Sequence, residues 1–332
     1  MLEFQKLTKS FSKKINPAIS SVEFNVSNGE TVGFVGLNGA GKTTTIRIAA
    51  GVALPTSGSV SIDGHDIVTQ KIEASRQIGW VPEFPNFDQN AKARSLMLYY
   101  AGFYGIEKTE AENRTKKLLE SVSLGGFENR KLRTYSQGMK KRFSLAASML
   151  ADPQNYLFDE ILNGLDPEGI HFMRELVLEL RKKGRAILLS SHILSEVETL
   201  ADRVVFIHKG KIMKIATRSE LSGIATEGKI LQLVVENLSD NAVAFLKTLG
   251  DDVQITKESK EEWKRSDAYE ERQVVKIRNF QGESSTVNNE LVKKGVKVDE
   301  ISFQKSSLED YFFKLVGATD SKDRAEPGES KK

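Results

Sequence analysis

The chain has 332 residues, 39% of them hydrophobic and 28% charged, with a net charge of +3 and no cysteine. That composition builds folded cores rather than a disordered chain, excludes disulfides and thiolate metal sites, and is too mildly basic to imply a nucleic-acid surface. The four histidines show no metal-ligand spacing, so any metal is expected to be a hard cation held by oxygen.

The first residues, MLEFQKLTKS, carry lysines but no apolar stretch, and no secretory signal is expected there. Apolar runs such as AILL, 186–189, fall far short of the ~18 residues a membrane span requires. From residue 1 to about 222, short β-branched or aromatic runs (TVGFVG, AILLSS, RVVFIHKG) alternate with helical periodicity. This predicts an α/β domain with a mixed, largely parallel sheet.

The segment TVGFVGLNGAGKTTTIRIAAG sets Gly36, four residues, then Gly41, Lys42 and Thr43 between a buried strand and a helix. This is the spacing of a phosphate-binding P-loop. Glycines let backbone N–H groups curl round phosphates, Lys42 reaches the outer oxygens, and the Thr43 hydroxyl suits Mg²⁺. Gly36, Leu37, Asn38, Gly39, Ala40, Gly41, Lys42, Thr43 and Thr44 are therefore candidate nucleotide contacts.

Between about 88 and 150 strand signals vanish, and ARSLMLYYAGFYG, KTEAENRTKKLLESV and KKRFSLAASML predict a helical insertion. The last helix follows TYSQGM. Ser136, Gln137 and Gly138 form a predicted turn there, at a helix start suited to an anion. Next comes NYLFDE, a predicted strand ending in Asp159 and Glu160. At that end of a parallel sheet Asp159 is the candidate Mg²⁺ ligand, through water, and Glu160 the candidate base for an attacking water. His192, after the strand AILLSS, is expected to touch the outer phosphate or that water.

Beyond Leu221 the order becomes strand ILQLVVENL, helix SDNAVAFLKTLG, strands DDVQITK and RQVVKIRNF, helix STVNNELVKKG and strand VKVDEISFQ. This βαββαβ pattern predicts a ferredoxin-like α+β domain over 223–317. It closes on helix SSLEDYFFKLVG, with a capping box from Ser307 and Asp310. Residues 257–272 are read as an exposed charged loop and 318–332 as a disordered tail.

In order, GLNGAGKTT, SQGMKKR, LFDE, NGLDPEG and SSHILSEVE resemble the Walker A, signature, Walker B, D-loop and switch-histidine motifs of the ATP-binding cassette (ABC) ATPases. The resemblance covers residues 1–222. It implies ATP and Mg²⁺ as ligands, ATP hydrolysis, and a dimer of two head-to-tail cassettes. In that dimer Ser136 and Gly138 of one subunit cap the phosphate held by the other's P-loop, and Asp166 crosses the same interface. Phe11 is expected to stack on adenine. The final domain resembles the extension of ABC-2 type cassettes, which implies a peripheral subunit on the cytoplasmic membrane face that powers export through separate permeases. The other readings are a soluble cassette acting on ribosomes or DNA and a non-hydrolysing nucleotide-binding regulator. One P-loop without sustained heptads opposes the former, and Glu160 with His192 opposes the latter.

Several residues depart from the family's pattern. Glu83 stands where a Gln that reaches Mg²⁺ is usual, Met139 replaces a Gln, Gln137 replaces a Gly, and Ile161 and Leu162 replace Pro-Thr. Asn155 interrupts an otherwise apolar strand.

Overall fold

The structure is a computed structural model, and residues 1–12, 16–221, 230–250, 252–257, 272–278, 280, 282–304, 308–309, 311–313 and 315–317 are described. The Ser307–Asp310 capping box, most of the 257–272 loop and the tail from 318 lie outside the described residues. The chain divides into two units, Met1–Arg218 and Ser219–Lys332, a few residues before the boundary read from sequence.

In the first unit, six strands are β3 (Thr31–Val35), β6 (Ile78–Val81), β7 (Asn155–Asp159), β8 (Ala186–Ser191), β9 (Arg203–His208) and β10 (Lys211–Thr217). They form one sheet in the order β10-β9-β3-β8-β7-β6. The β9–β10 pair is antiparallel and every other pair parallel. Every residue of β3, β7 and β8 is buried, as expected of parallel strands covered on both faces. Successive side chains point to opposite faces, so Ile187 and Leu189 join one core with Tyr156 and Phe158. Ala186 and Leu188 join the other with Leu157 and Phe34.

A second sheet, all antiparallel, was not anticipated. It contains β1 (Leu2–Lys9), β2 (Ile19–Val26), β4 (Ser57–Ile62) and β5 (His65–Asp66) in the order β2-β1-β4-β5. Phe4 stacks on Phe24 at 4.3 Å between ring centroids, and Phe24 on Phe34 at 5.3 Å, which ties this sheet to the parallel one.

The insertion consists of α3 (Ala93–Phe103), α4 (Lys108–Ser121) and α5 (Gln137–Ser148), after α1 (Lys42–Ala49) and α2 (Lys71–Arg76). Leu96, Met97, Ala111, Leu119 and Phe143 close its interior. Helix α5 begins at Gln137, so Gln137 and Gly138 lie in its first turn rather than in a preceding one. The cause is Ser136, whose Oγ accepts the Met139 N–H at 3.2 Å and starts the helix at once. Helices α6 (Pro167–Lys182) and α7 (Leu194–Leu200) flank β8.

Gly33 in β3 faces α7 so closely that a Cβ there would sit 2.2 Å from Val197 Cγ1. Gly33→Ala should therefore destabilise the chain by about 1–3 kcal/mol through overpacking, and Val197→Ala in the same chain should recover part of the loss. Urea unfolding of both single variants and the double variant checks this. An unmoved midpoint in Gly33→Ala would show that α7 yields freely.

The second unit contains β11 (Ile230–Glu236), α8 (Asp240–Leu246), β12 (Asp252–Lys257), β13 (Arg272–Arg278), α9 (Ser284–Lys293) and β14 (Lys297–Gln304). The sheet order is β12-β13-β11-β14 and all its pairs are antiparallel, which is the split βαβ arrangement. Alternate β11 residues Leu231, Leu233 and Val235 pack with Leu246, Val287 and Leu291 from the two helices.

Candidate active site

The carboxyl ends of β3, β7 and β8 converge, and a cavity of about 390 Å³ opens there. Leu37 to Thr44, Glu83, Glu160, Asn163 and His192 line it, with Ala18 at one side. Such a convergence at the centre of a parallel sheet is where α/β folds bind ligands. Gly41 caps α1 at φ +111°, a conformation closed to side-chain-bearing residues. Gly36 passes so near the Ile207 carbonyl that a Cβ would lie 2.4 Å from it. The loop is thus folded for backbone approach, and α1 opens with no acidic residue in its first turn, which leaves its N-terminal N–H groups and dipole fit for phosphate.

Lys42 is buried and its Nζ donates to Gly36 O at 2.7 Å. The same atom lies 3.1 Å from Glu160 Oε1. The other oxygen, Glu160 Oε2, lies 2.9 Å from His192 Nδ1, and accepts from Asn163 Nδ2 at 3.2 Å and the His192 N–H at 3.3 Å. Glu160 holds φ +50°, an uncommon backbone for a residue with a side chain, and its N–H is fixed by Ser190 O and Oγ at 3.2 and 3.0 Å. Asp159 is buried beneath, its Oδ1 accepting from Ser190 Oγ at 2.8 Å and Thr43 Oγ1 at 3.2 Å. Burial pushes its carboxyl up, and those two hydrogen bonds oppose the rise. Glu83 is also pushed up, by burial first and then by the charges of Glu160 and Asp159.

Among the described residues, no cluster of three or more His, Cys, Asp or Glu side chains could hold a metal unaided. The oxygen donors Thr43, Asp159 and Glu83 nonetheless fit the habit of Mg²⁺, which takes one or two carboxylates and completes its shell with phosphates and water.

The remaining candidates do not join this cavity within one chain. Ser136 and Gln137 are exposed at the start of α5, Gly138 is half-buried beside them, and exposed Asp166 caps α6 by accepting the Gly169 N–H at 2.8 Å. Phe11 lies beyond the end of β1, 73% exposed, with Lys9 Nζ 5.1 Å over its ring. It belongs neither to a strand nor to a core.

Asn163 and Ser190 were not singled out from the sequence, although both sit inside quoted motifs, and their side-chain partners appear only on folding. Three of the departures have physical reasons. Ile161 and Leu162 are buried in the larger core. Asn155 is buried too, donating to Asp63 Oδ2 at 2.7 Å and Gln77 O at 3.2 Å, so its polarity bridges β7 to neighbouring loops.

The family model described as "ABC transporter" matches residues 19–163. The bacitracin transport ATP-binding protein BcrA of Bacillus licheniformis is 34% identical over 314 residues, 94% of this chain and 95% of that protein. A solved ATP-binding subunit of an ABC transporter is 32% identical with a TM-score of 0.63, covering 67% of this chain and 92% of that one. An ATP-binding cassette solved as a post-hydrolysis dimer with ADP and Pi is 23% identical, TM-score 0.60, over 66% of this chain and 99% of that one, and shares the fold. With relatives matching over nearly its whole length, a P-loop at the head of α1 and two carboxylates closing β7, the chain belongs to the ATP-binding, ATP-hydrolysing subunits of ABC transporters.

Proposed function

We propose that the chain powers export through a separate membrane permease, as one of two cassettes that enclose ATP head to tail at the cytoplasmic membrane face. The carrying observation is the contact of Lys42, Glu160 and His192 at the ends of three parallel strands. Lys42 and the 36–44 loop bind the phosphates, and Glu160 takes the proton of the attacking water while His192 holds its carboxylate in place. Thr43, Asp159 and Glu83 would hold Mg²⁺, which when bound would supply neutralisation of charge building on the phosphates. Ser136, Gln137 and Gly138 are exposed or half-exposed because their phosphate lies on the partner cassette, and exposed Asp166 crosses the same interface.

No described helix is long and apolar enough to cross a membrane, so passage of cargo is assigned to another subunit. A groove of about 670 Å³, lined in part by Ile72, Trp80, Phe87, Tyr100, Phe103 and Tyr104, offers an apolar face for it. The export direction is supported by the likeness of the second unit to ABC-2 type extensions and by a Nod factor export ATP-binding protein of Paraburkholderia xenovorans that is 34% identical over 226 residues.

The test is Mg²⁺-dependent ATP hydrolysis by the purified chain, titrated with metal in Glu83→Gln and Glu83→Ala. Both variants should need several-fold more Mg²⁺ for half-maximal rate, since each removes a ligand charge. An unchanged midpoint in both would remove Glu83 from the metal. A wild-type chain that binds ATP without hydrolysing it, even with permease present, would favour a regulator.

A further inference from the structure

Lys141 lies in the second turn of α5, and no motif role is assigned to it. Its half-buried Nζ points away from solvent at the turn that leaves β7, where it donates to Ile161 O at 3.1 Å, to Glu160 O at 3.5 Å, and to the Asn163 carbonyl. These carbonyls belong to a largely buried turn, and a buried backbone acceptor needs a donor. An ammonium has three. The same turn sets Glu160 at its left-handed φ and carries Asn163, whose side chain holds Glu160 Oε2. Backbone of that kind persists only when its surroundings over-determine it. Burial lowers the Lys141 ammonium from its usual range, and the charges of Glu83 and Glu160 oppose the change.

Helix α5 is a rigid rod of 12 residues. Its N-terminus carries Ser136 and Gly138, and Lys141 is five residues beyond Ser136, a rise of roughly 7.5 Å. A displacement imposed on the helix start therefore reaches the turn of Glu160 through one side chain. We propose that Lys141 is a positioning residue through which a nucleotide phosphate seated on this chain's α5 sets the placement of this chain's own Glu160, so that the two composite sites of a dimer become competent together. The inference rests on the head-to-tail arrangement proposed above. It adds a link inside each subunit between the half-site offered to the partner and the base kept for itself.

The experiment compares Lys141→Met, which keeps the apolar stem and removes the ammonium, with Lys141→Arg, which keeps the charge. Each is read by ATP binding, kcat, KM and the Hill coefficient for ATP, with thermal unfolding as a control. Wild type should hydrolyse cooperatively, with a Hill coefficient above 1 and at most 2 for two sites. Lys141→Met should lower kcat by ~10-fold or more, because a displacement near 1 Å can cost 10²-fold, while KM stays within about twofold and the Hill coefficient falls to 1. Lys141→Arg should recover most of both. Should the Met variant fail to fold, Lys141→Gln, which keeps a donor without charge, takes its place.

In whichever of the Met and Gln variants folds, an unchanged kcat, a lower kcat with cooperativity intact, or a loss of ATP binding would each overturn the proposal, as would a non-cooperative wild type. Glu160→Gln run in parallel separates the two levels. If Glu160→Gln is inactive and Lys141→Met is normal, only the Lys141 inference fails. If Glu160→Gln hydrolyses normally, the assignment of the base has failed first.

Discussion

Glu160→Gln is expected to lose ATP turnover by about 10²-fold or more while binding ATP at least as well as the native chain. The geometry separates the two effects. Glu160 contributes both carboxylate oxygens to contacts in the site, Oε1 to Lys42 and Oε2 to His192 and Asn163. An amide has nearly the same shape but cannot take a proton from water, so the chemical step is lost. It also carries no charge, and Lys42, released from its ion pair, becomes fully available to phosphate. Affinity should therefore hold or rise. Single-turnover phosphate release and equilibrium ATP binding measure the two quantities separately. Turnover near the native value would remove Glu160 from the mechanism, and lost affinity would show that the Lys42 contact organises the loop instead of competing with nucleotide.

Mixing two damaged chains should restore trapping that neither achieves alone. Lys42→Ala spoils the phosphate loop and leaves α5 untouched. Ser136→Arg removes the cap of α5 and puts bulk and positive charge at its start, but leaves the loop intact. If the exposed start of α5 serves the partner, each homodimer has two sites with one bad half each. The mixed dimer concentrates both lesions in one site and leaves the other whole. With Glu160→Gln added to both chains the closed dimer persists, and retained ATP is counted after gel filtration. One whole site predicts about half the retention of an intact Glu160→Gln dimer for each mixed dimer, or about a quarter for an equimolar mixture that pairs at random, which is a large rise over near zero. No retention in a mixture whose heterodimers are demonstrated by crosslinking would refute action in trans.

Those contacts also show what a linear text can carry. The P-loop was legible because glycine positions, a lysine and a strand-to-helix change answer to one local geometry, and Lys42, Thr43, Asp159, Glu160 and His192 do stand around one another. The ferredoxin-like order was legible because each described strand and helix of the second unit is short and carries its own local pattern. The antiparallel sheet was not. Its strands, among them LEFQKLTK and ISSVEFNV, are half polar, and their pairing depends on residues far apart in sequence. Asn155, Ile161 and Leu162 looked like anomalies because burial is a property of the folded surroundings. Lys141 was not singled out, since nothing local says which of three consecutive cations reaches the turn after β7, and Arg142 beside it turns inward instead over the Phe172 ring.

Phe11 shows a different economy. A phenyl ring left 73% exposed beside a lysine contributes little to folding, so whatever apolar surface it offers is still available to a visitor. A flat heterocycle laid on it would gain ~1–3 kcal/mol by stacking, and stacking is indifferent to the groups at the ring edge. Where stacking alone holds the base, selection between adenine and guanine should be poor. The triphosphate would be recognised closely and its base hardly at all, so the supply of nucleotides around the protein, more than the protein itself, would decide which purine it consumes.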